Sequence, residues 1–367
     1  MGFFRNALKI VENSDLLVVL KRNMEKRDII VIGASAGGVN ALIAFVKTLP
    51  ANFDASIFVV LHVHPSTPSN LPNILTNFGP LEASHGVDGE KIKSKHIYIA
   101  PPDHHLLLEE GHILVRKGPK ENRFRPSIDA LFRSAAYSYG ARVIGIVLSG
   151  MLNDGTSGMW SVKHMGGLCI VQDPKDAMHE SMPLNVLNEV EVDYTVPVAK
   201  MGMLLEELVN KNAPKMREIT PEQMELMKME VVIASNDNAF ELGILNKGEL
   251  TPFTCPECHG ALIGLREGTI VRYRCHTGHA FTASTLLLGV TESIEEQLWS
   301  TMRTCEEAVM LLESIAENFR KAGNETAAAE FLKKAEESRK RSRVLHKMVK
   351  TQELLSEDLV ETNEVTA

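Results

Sequence analysis

Residues 28–38 read Asp28-Ile29-Ile30-Val31-Ile32-Gly33-Ala34-Ser35-Ala36-Gly37-Gly38, and the fold turns on how this stretch is read. Ile29 to Ile32 is a β-branched run without a polar break, the pattern of a strand buried on both faces. Behind the glycines, Val39, Leu42, Ile43 and Val46 recur at helical spacing as far as Leu49. A strand, a turn of small residues and a helix present one side chain at the carboxyl edge of a parallel sheet, and here that side chain is Ser35. Three readings fit the turn. A dinucleotide fingerprint would need a glycine where Ser35 stands and an acidic residue after the next strand, Ser56 to Leu61, which ends in His62 instead. A nucleophile elbow, G-x-S-x-G, matches Gly33 to Gly37 and would set helix amides beside a developing oxyanion. A plain capping serine on a βα turn is the third reading.

Outward from this stretch, strand and helix patterns alternate to about Val198, which predicts an α/β fold with a doubly wound parallel sheet and helices on both faces. Strands are expected at Ser56–Leu61, His96–Ala100, Val143–Leu148, Leu168–Val171 and Val192–Val196, with a hairpin at His105–Leu108 and His112–Arg116. Helices are expected at Ser69–Phe78 and at Ser127–Tyr139, the second closed by Gly140. Ser35, His62 and Asp154 each lie just past a buried strand. In such sheets the strand carboxyl ends share one edge, so the three could meet there as nucleophile, base and orienting acid. His62 could equally be a strand-end histidine and Asp154 an Asx-turn residue before Gly155, and His64 is a rival base.

Composition narrows the class. The chain has 367 residues and a net charge of −8, which argues against a nucleic-acid partner. Five cysteines, three of them clustered, suit a reducing compartment, and no run of about 18 apolar residues offers a membrane span. The expectation is a cytoplasmic protein without membrane insertion. Residues 1–27 form a leader with an apolar patch at Leu16–Leu20, and Met24 is an alternative start. The α/β domain is expected over 28–205, a linker over 206–249 with a strand-like Val231-Val232-Ile233, and a tail from Ser356 that is disordered.

Residues 250–283 carry Cys255-Pro-Glu-Cys258 and Arg274-Cys275-His276-Thr277-Gly278-His279. A Cys-x2-Cys knuckle, a hairpin and Cys-x3-His predict a zinc-ribbon-like module with a structural zinc on Cys255, Cys258, Cys275 and His279. His276 and His259 compete for the fourth place, and buried reduced cysteines are the alternative. So small a segment lacks core of its own, which a metal would supply. Over 284–355, Val290, Ile294, Leu298, Met302, Cys305, Val309, Leu312, Ile315 and Phe319 recur every three or four residues until Gly323-Asn324. This reads as an antiparallel helical hairpin whose apolar stripe serves as core or as a self-association surface.

Five stretches together resemble the catalytic domain of the bacterial chemotaxis protein-glutamate methylesterase (CheB) family. They are Ile30–Gly38, Leu61-His62, Tyr98-Ile-Ala-Pro-Pro-Asp-His-His105, Arg125-Pro-Ser-Ile-Asp-Ala-Leu-Phe-Arg133 and Leu148-Ser-Gly-Met-Leu-Asn-Asp-Gly-Thr-Ser-Gly-Met159. The resemblance covers roughly residues 28–205. It implies hydrolysis of glutamyl methyl esters on methylated chemoreceptors, with glutamine deamidation in many members, and no cofactor for catalysis. By motif position it implies Ser35 as nucleophile, His62 as base, Asp154 as orienting acid and the Met151 backbone amide at the oxyanion. Family members usually begin with a receiver domain, for which residues 1–27 are too short. Family sequences without a receiver often carry a similar Cys-rich tail. Two functions follow as expectations: a serine esterase acting on a methylated signalling protein, or a scaffold acting through the zinc and helical modules. A hydrolase of some small ester is a weaker third.

Overall fold

The computed structural model describes residues 26–214, 219–236 and 239–351. The leader before Lys26, with its apolar patch and Met24, and the tail from Ser356 lie outside these residues. The sheet starts with β1 (Ile29–Ala34), buried throughout, and continues through α1 (Gly38–Val46), β2 (Ser56–Leu61), α2 (Leu71–Phe78), β3 (Glu82–His85) and β4 (His96–Ile99). The antiparallel hairpin β5 (His105–Glu109) and β6 (His112–Arg116) leads to α3 (Ile128–Tyr139). Then follow β7 (Val143–Val147), α4 (Thr156–His164), β8 (Leu168–Gln172), α5 (Ser181–Glu189), β9 (Tyr194–Val196) and α6 (Val198–Val209). Seven strands lie in the order β3-β4-β2-β1-β7-β8-β9, and every neighbouring pair is parallel.

Alternation along β1 explains the two layers. Ile30, Ile32 and Ala34 pack with Leu42, Phe45, Met201 and Leu205 on one face, while Ile29 and Val31 meet Leu131, Phe132, Met159 and Val162 on the other. The doubly wound α/β sheet expected from the sequence is the sheet found. From β1 the chain steps out to β2, β4 and β3, then returns across β1 to β7, β8 and β9. The strand order therefore reverses at β1, and the crevice at the carboxyl ends there is where such sheets bind ligands. The short polar edge strand β3 (Glu-Ala-Ser-His) had no alternation to announce it.

The segment expected as a linker is structured. Pro221–Asn236 form helix α7, with Met227, Glu230, Ile233 and Ala234 buried, so Val231-Val232-Ile233 is helical and not strand-like. The β preference of three branched residues is weak beside a start signal that the sequence does contain. The Thr220 N–H donates to Gln223 Oε1 at 3.1 Å and the Gln223 N–H to Thr220 Oγ1 at 3.3 Å, a capping box with Pro221 in the first turn. Ile233 then packs with Ala239, Ile244, Ile263 and Leu265.

Downstream, β10 (Glu249–Thr254), β11 (Ala261–Glu267), β12 (Ile270–Cys275) and β13 (Ala280–Thr282) form an antiparallel four-stranded sheet that carries the cysteines. This sheet is joined to the α/β layers by a buried ionic cluster. Arg274 Nη2 lies 2.7 Å from Glu121 and 3.0 Å from Glu230, Arg272 Nη1 2.7 Å from Glu230 and 3.0 Å from Glu267, and Arg133 Nη1 of α3 3.0 Å from Glu121. The chain divides into two compact units after Thr285, so the Cys-rich sheet shares a unit with the α/β layers.

Helix α8 (Ala283–Lys321) starts at the end of the first unit, and from Leu286 onward it pairs with α9 (Glu325–Lys350) in the second. Gly323 takes φ 77° at the turn, and Asn324 Oδ1 caps α9 by accepting the Ala327 N–H at 3.1 Å. Ser338 Oγ donates to Cys305 O at 3.0 Å and Phe319 stacks on Phe331, so the helices run antiparallel. Met302 and Val309 of the expected stripe are buried, whereas Val290, Ile294 and Ile315 stay exposed. No helix among the described residues is long and apolar enough to cross a membrane.

The ionic cluster makes a stability prediction. Burial alone would push the Glu230 carboxyl up, but Arg133, Arg272 and Arg274 outweigh it and hold the group at about 2, well below its ordinary 4.5. A carboxylate depressed in this way stabilises the fold fully above its unfolded pKa, and that contribution fades as pH falls towards about 2. Glu230→Gln should cost about 3–5 kcal/mol in urea unfolding at neutral pH, since it leaves buried cations short of a partner. It should also flatten the acid-side loss of stability between about pH 4.5 and 2. A cost below about 1 kcal/mol would mean that the cluster does not hold the two sheets together.

Candidate active site

Ser35 follows β1 directly, and its N–H donates to Ser149 O at 3.0 Å in the loop after β7. The left-handed residue of the turn is Gly37, φ 73°, and not the serine, so the strain that an elbow places on its nucleophile falls here on a glycine. Gly37 is also held by proximity: a Cβ there would lie 2.7 Å from Ser149 Oγ. Gly33 has a different duty. A Cβ on it would reach within 2.3 Å of Ile128 Cγ2, so only glycine lets the amino end of α3 sit against β1.

His62 follows β2, its N–H donating to Ala34 O at 3.2 Å. Its Nδ1 is 3.2 Å from Ser35 Oγ and its Nε2 2.8 Å from Asp154 Oδ2, and its ring stacks on Phe124 at 3.6 Å between centroids. Ionised Asp154 can only accept, so Nε2 carries the proton and Nδ1 offers its lone pair to the serine hydroxyl. His64 is exposed and turned towards Ser66, 2.9 Å from its hydroxyl, which removes the rival base from the site.

Asp154 is fully buried. Besides His62, Oδ1 accepts from Asn122 Nδ2 at 2.9 Å and Ser127 Oγ at 3.0 Å, and Oδ2 from the Ile128 N–H at 2.8 Å. Burial would raise its pKa, but the His62 hydrogen bond and charge, Asn122 and the Ile128 amide together hold it below the usual carboxylate range. The amino end of α3 adds the favourable end of its dipole. Neighbouring Asp129, also buried, is driven the other way, to about 7, by burial and by the charge of Asp154. The amides of Ser149 and Gly150 are engaged by Gln172 Oε1 and His179 O, and the Met151 amide follows them in the same turn, its side chain 52% exposed.

The Cys-rich sheet brings Cys255, Cys258, Cys275 and His279 together, one ligand atom from each within 4.8 Å of the others. Cys258 and Cys275 Sγ are 3.6 Å apart, and His279 Nδ1 is 3.7 Å from both Cys255 and Cys275 Sγ. A tetrahedral ion with bonds of about 2.3 Å to sulfur sets its ligands roughly 3.5–3.8 Å apart, so the donor set fits zinc. His259 and His276, the competitors for the fourth place, are not in the group.

Asn122, Phe124, Ser127 and Asp129 complete the surroundings of His62 and Asp154 without having been expected there. A signal existed for the last two: Ser127 and Asp129 are polar residues at the start of a helix that is otherwise apolar on several faces. Asn122 sits in a left-handed turn, φ 50°, where asparagine is common, and nothing local tells of its partners.

Fold and site together define an α/β protein with a serine, an imidazole and a buried carboxylate in hydrogen-bonded series where its sheet order reverses. Comparison with known proteins assigns the family. The CheB methylesterase family model matches residues 30–208. A Leptospira interrogans protein, provisionally named protein-glutamate methylesterase/protein-glutamine glutaminase, is 36% identical over 184 residues, which are 50% of this chain and 95% of that one. The Thermotoga maritima protein of that name is 37% identical over 185 residues, 49% of this chain and 54% of the relative. The crystal structure of the Thermotoga maritima CheB methylesterase catalytic domain, at 36% identity and a TM-score of 0.48, covers 50% of this chain and 99% of that one. The chain belongs to the CheB methylesterase family.

Proposed function

We propose that the protein is a protein-glutamate methylesterase, a serine carboxyl-ester hydrolase that frees methanol from glutamate methyl esters of a chemoreceptor, with glutamine deamidation at the same site. The observation that carries this reading is the unbroken series Ser35 Oγ, His62 and Asp154, closed by a carboxylate that has no solvent exposure. The names of the relatives supply the ester and amide substrates. A scaffold would need none of these contacts and is not favoured.

In this reading Ser35 Oγ attacks the ester carbonyl while His62 Nδ1 takes its proton. Asp154 keeps the imidazole in the tautomer that can accept and faces the cation once it forms. The carbonyl oxygen, now an oxyanion, turns to the Met151 amide. Collapse breaks the bond to the methoxy group, which leaves as methanol with the proton from His62, and water then releases the glutamyl carboxylate from Ser35 by the same steps. A glutamine side chain would lose ammonia along an identical path. Catalysis needs no cofactor.

Zinc on Cys255, Cys258, Cys275 and His279 would act as a structural cross-link, since all four positions come from the protein. Free cysteines, three of them grouped with His279, support a reducing compartment and with it a cytoplasmic location. Exposed Met310, Leu311, Val344 and Met348 on the helical hairpin suit self-association, and the acidic net charge speaks against a nucleic-acid partner.

Methanol release from methylated receptor membranes should fall by about three orders of magnitude or more in Ser35→Ala and in His62→Ala, with no further loss in the double variant, because the groups act as a unit. His64→Ala should stay near wild type, and the opposite ranking of the two histidine variants would overturn the base assignment. Protein purified under reducing, chelator-free conditions should carry about one zinc per chain by elemental analysis, lost on Cys255→Ser. Metal-free, folded protein would remove the zinc.

A further inference from the structure

Asn122 is 2% exposed, and every polar valence of its side chain is taken. The two hydrogens of Nδ2 go to two different carboxylates, Asp154 Oδ1 at 2.9 Å and Asp129 Oδ2 at 2.7 Å. Its Oδ1 accepts from the Thr282 N–H at 3.0 Å and from Thr285 Oγ1 at 3.1 Å. Ionised Asp154 only accepts and a backbone N–H only donates, so the amide cannot turn over without placing its oxygen against Asp154 and its NH2 against the Thr282 N–H. Thr282 ends β13 of the Cys-rich sheet, and the backbone of residues 120–122 is tied to the same strand. The Asn122 N–H donates to Ala280 O at 2.7 Å and the Ala280 N–H to Lys120 O at 3.2 Å. Thr282 Oγ1 donates in turn to Asn153 Oδ1 at 2.7 Å, next to Asp154 in sequence.

We infer that Asn122 is a positioning residue of the esterase, oriented by Thr282 at the end of the Cys-rich sheet and by Thr285 in the first turn of α8, so that one amide separates Asp129 from Asp154 and aims Asp154 at His62. The inference rests on the reading of Ser35, His62 and Asp154 as the reacting set. It makes the segment after His279 part of the machinery that supports the reaction, where the sequence suggested an appended module. The same geometry explains why two buried carboxylates can neighbour each other. Without the shared donor each would feel the other's charge still more strongly, and both would hold a proton more tightly. The charged and titratable groups facing this pair from the surrounding elements are His62 after β2, His105 of β5, Arg133 of α3 and Arg272 of β12. His105 is itself neutral in geometry, its Nε2–H donating to Pro119 O and its Nδ1 accepting from the Ser127 N–H, so the donors that Asp154 gains from this side are dipoles and not charges.

The test is the rate at which a fluorophosphonate labels Ser35 in the full-length protein, followed against pH and expressed per labelled site. Wild type, Asn122→Ala, Thr285→Val and Thr285→Ser are compared, with methanol release measured alongside. Asn122→Ala should label about 10–100-fold more slowly, and its acid limb should move to higher pH as Asp154 and Asp129 take up protons earlier. Thr285→Val, which keeps the volume and removes the hydroxyl, should shift the limb the same way with a loss of about 3–10-fold, and Thr285→Ser should restore both. If Asn122→Ala does not fold, Thr285→Val against Thr285→Ser decides. A purely structural role would lower the number of labelled sites and leave the per-site rate and the acid limb where they were, and that result overturns the inference. Failure of the esterase reading looks different, because wild type itself would then label without releasing methanol or would not label at Ser35.

Discussion

A charged carboxylate without solvent is tolerable only where the protein supplies the donors that water would have given, and the site is arranged to supply them to Asp154. Those donors come from four places: His62 beyond β2, Asn122 in the turn before α3, the Ser127 hydroxyl, and the first amides of α3 itself. Each contact constrains an element. The amino end of α3 can reach the carboxylate only because Gly33 leaves room for Ile128 against β1, the strand whose end also carries Ser35. Ser35 and Asp154 are thus placed by one packing contact, and His62 spans the distance between them.

The second constraint is ionic. Glu121, Arg133, Glu230, Glu267, Arg272 and Arg274 lie buried in one cluster between α3, α7 and the Cys-rich sheet. Such a cluster adds little as a replacement for apolar packing, but it punishes the loss of any one member. The consequence is mutual dependence. Residues beyond 214, outside the part matched by the family model, provide charges and hydrogen bonds on which residues 120–133 rely.

The fold was legible because its signals were local. Ile29–Ile32, Ser56–Leu61 and Val143–Leu148 are uninterrupted apolar runs, and their order with helical patterns between them leaves few topologies. Ser35, His62 and Asp154 could be found for the same reason, each falling at the end of such a run. Other features depended on distant partners. The branched residues Val231–Ile233 suggested a strand until the capping box of Thr220 and Gln223 and the burial of Glu230 are taken together. The arginines of Arg272-Tyr-Arg274 have the pattern of one solvated face of a hairpin and are fully buried, because their carboxylate partners include Glu121, 151 and 153 residues away in sequence, and Glu230 on α7. Asn122 carries no local mark at all, since its role is set by two carboxylates and two threonines from separate segments.

If the three side chains act as proposed, Asp154, ionised in the interior, fixes His62 with its proton on Nε2 and its lone pair on Nδ1 facing Ser35. Nitrogen-15 spectra of protein labelled at histidine read this directly, because protonated and unprotonated ring nitrogens resonate apart. At neutral pH the His62 ring, assigned by its loss in His62→Ala, should show the proton on Nε2, and Asp154→Asn should abolish that preference. A proton on Nδ1 in the wild-type protein, or a mixed tautomer indifferent to Asp154→Asn, would contradict the account.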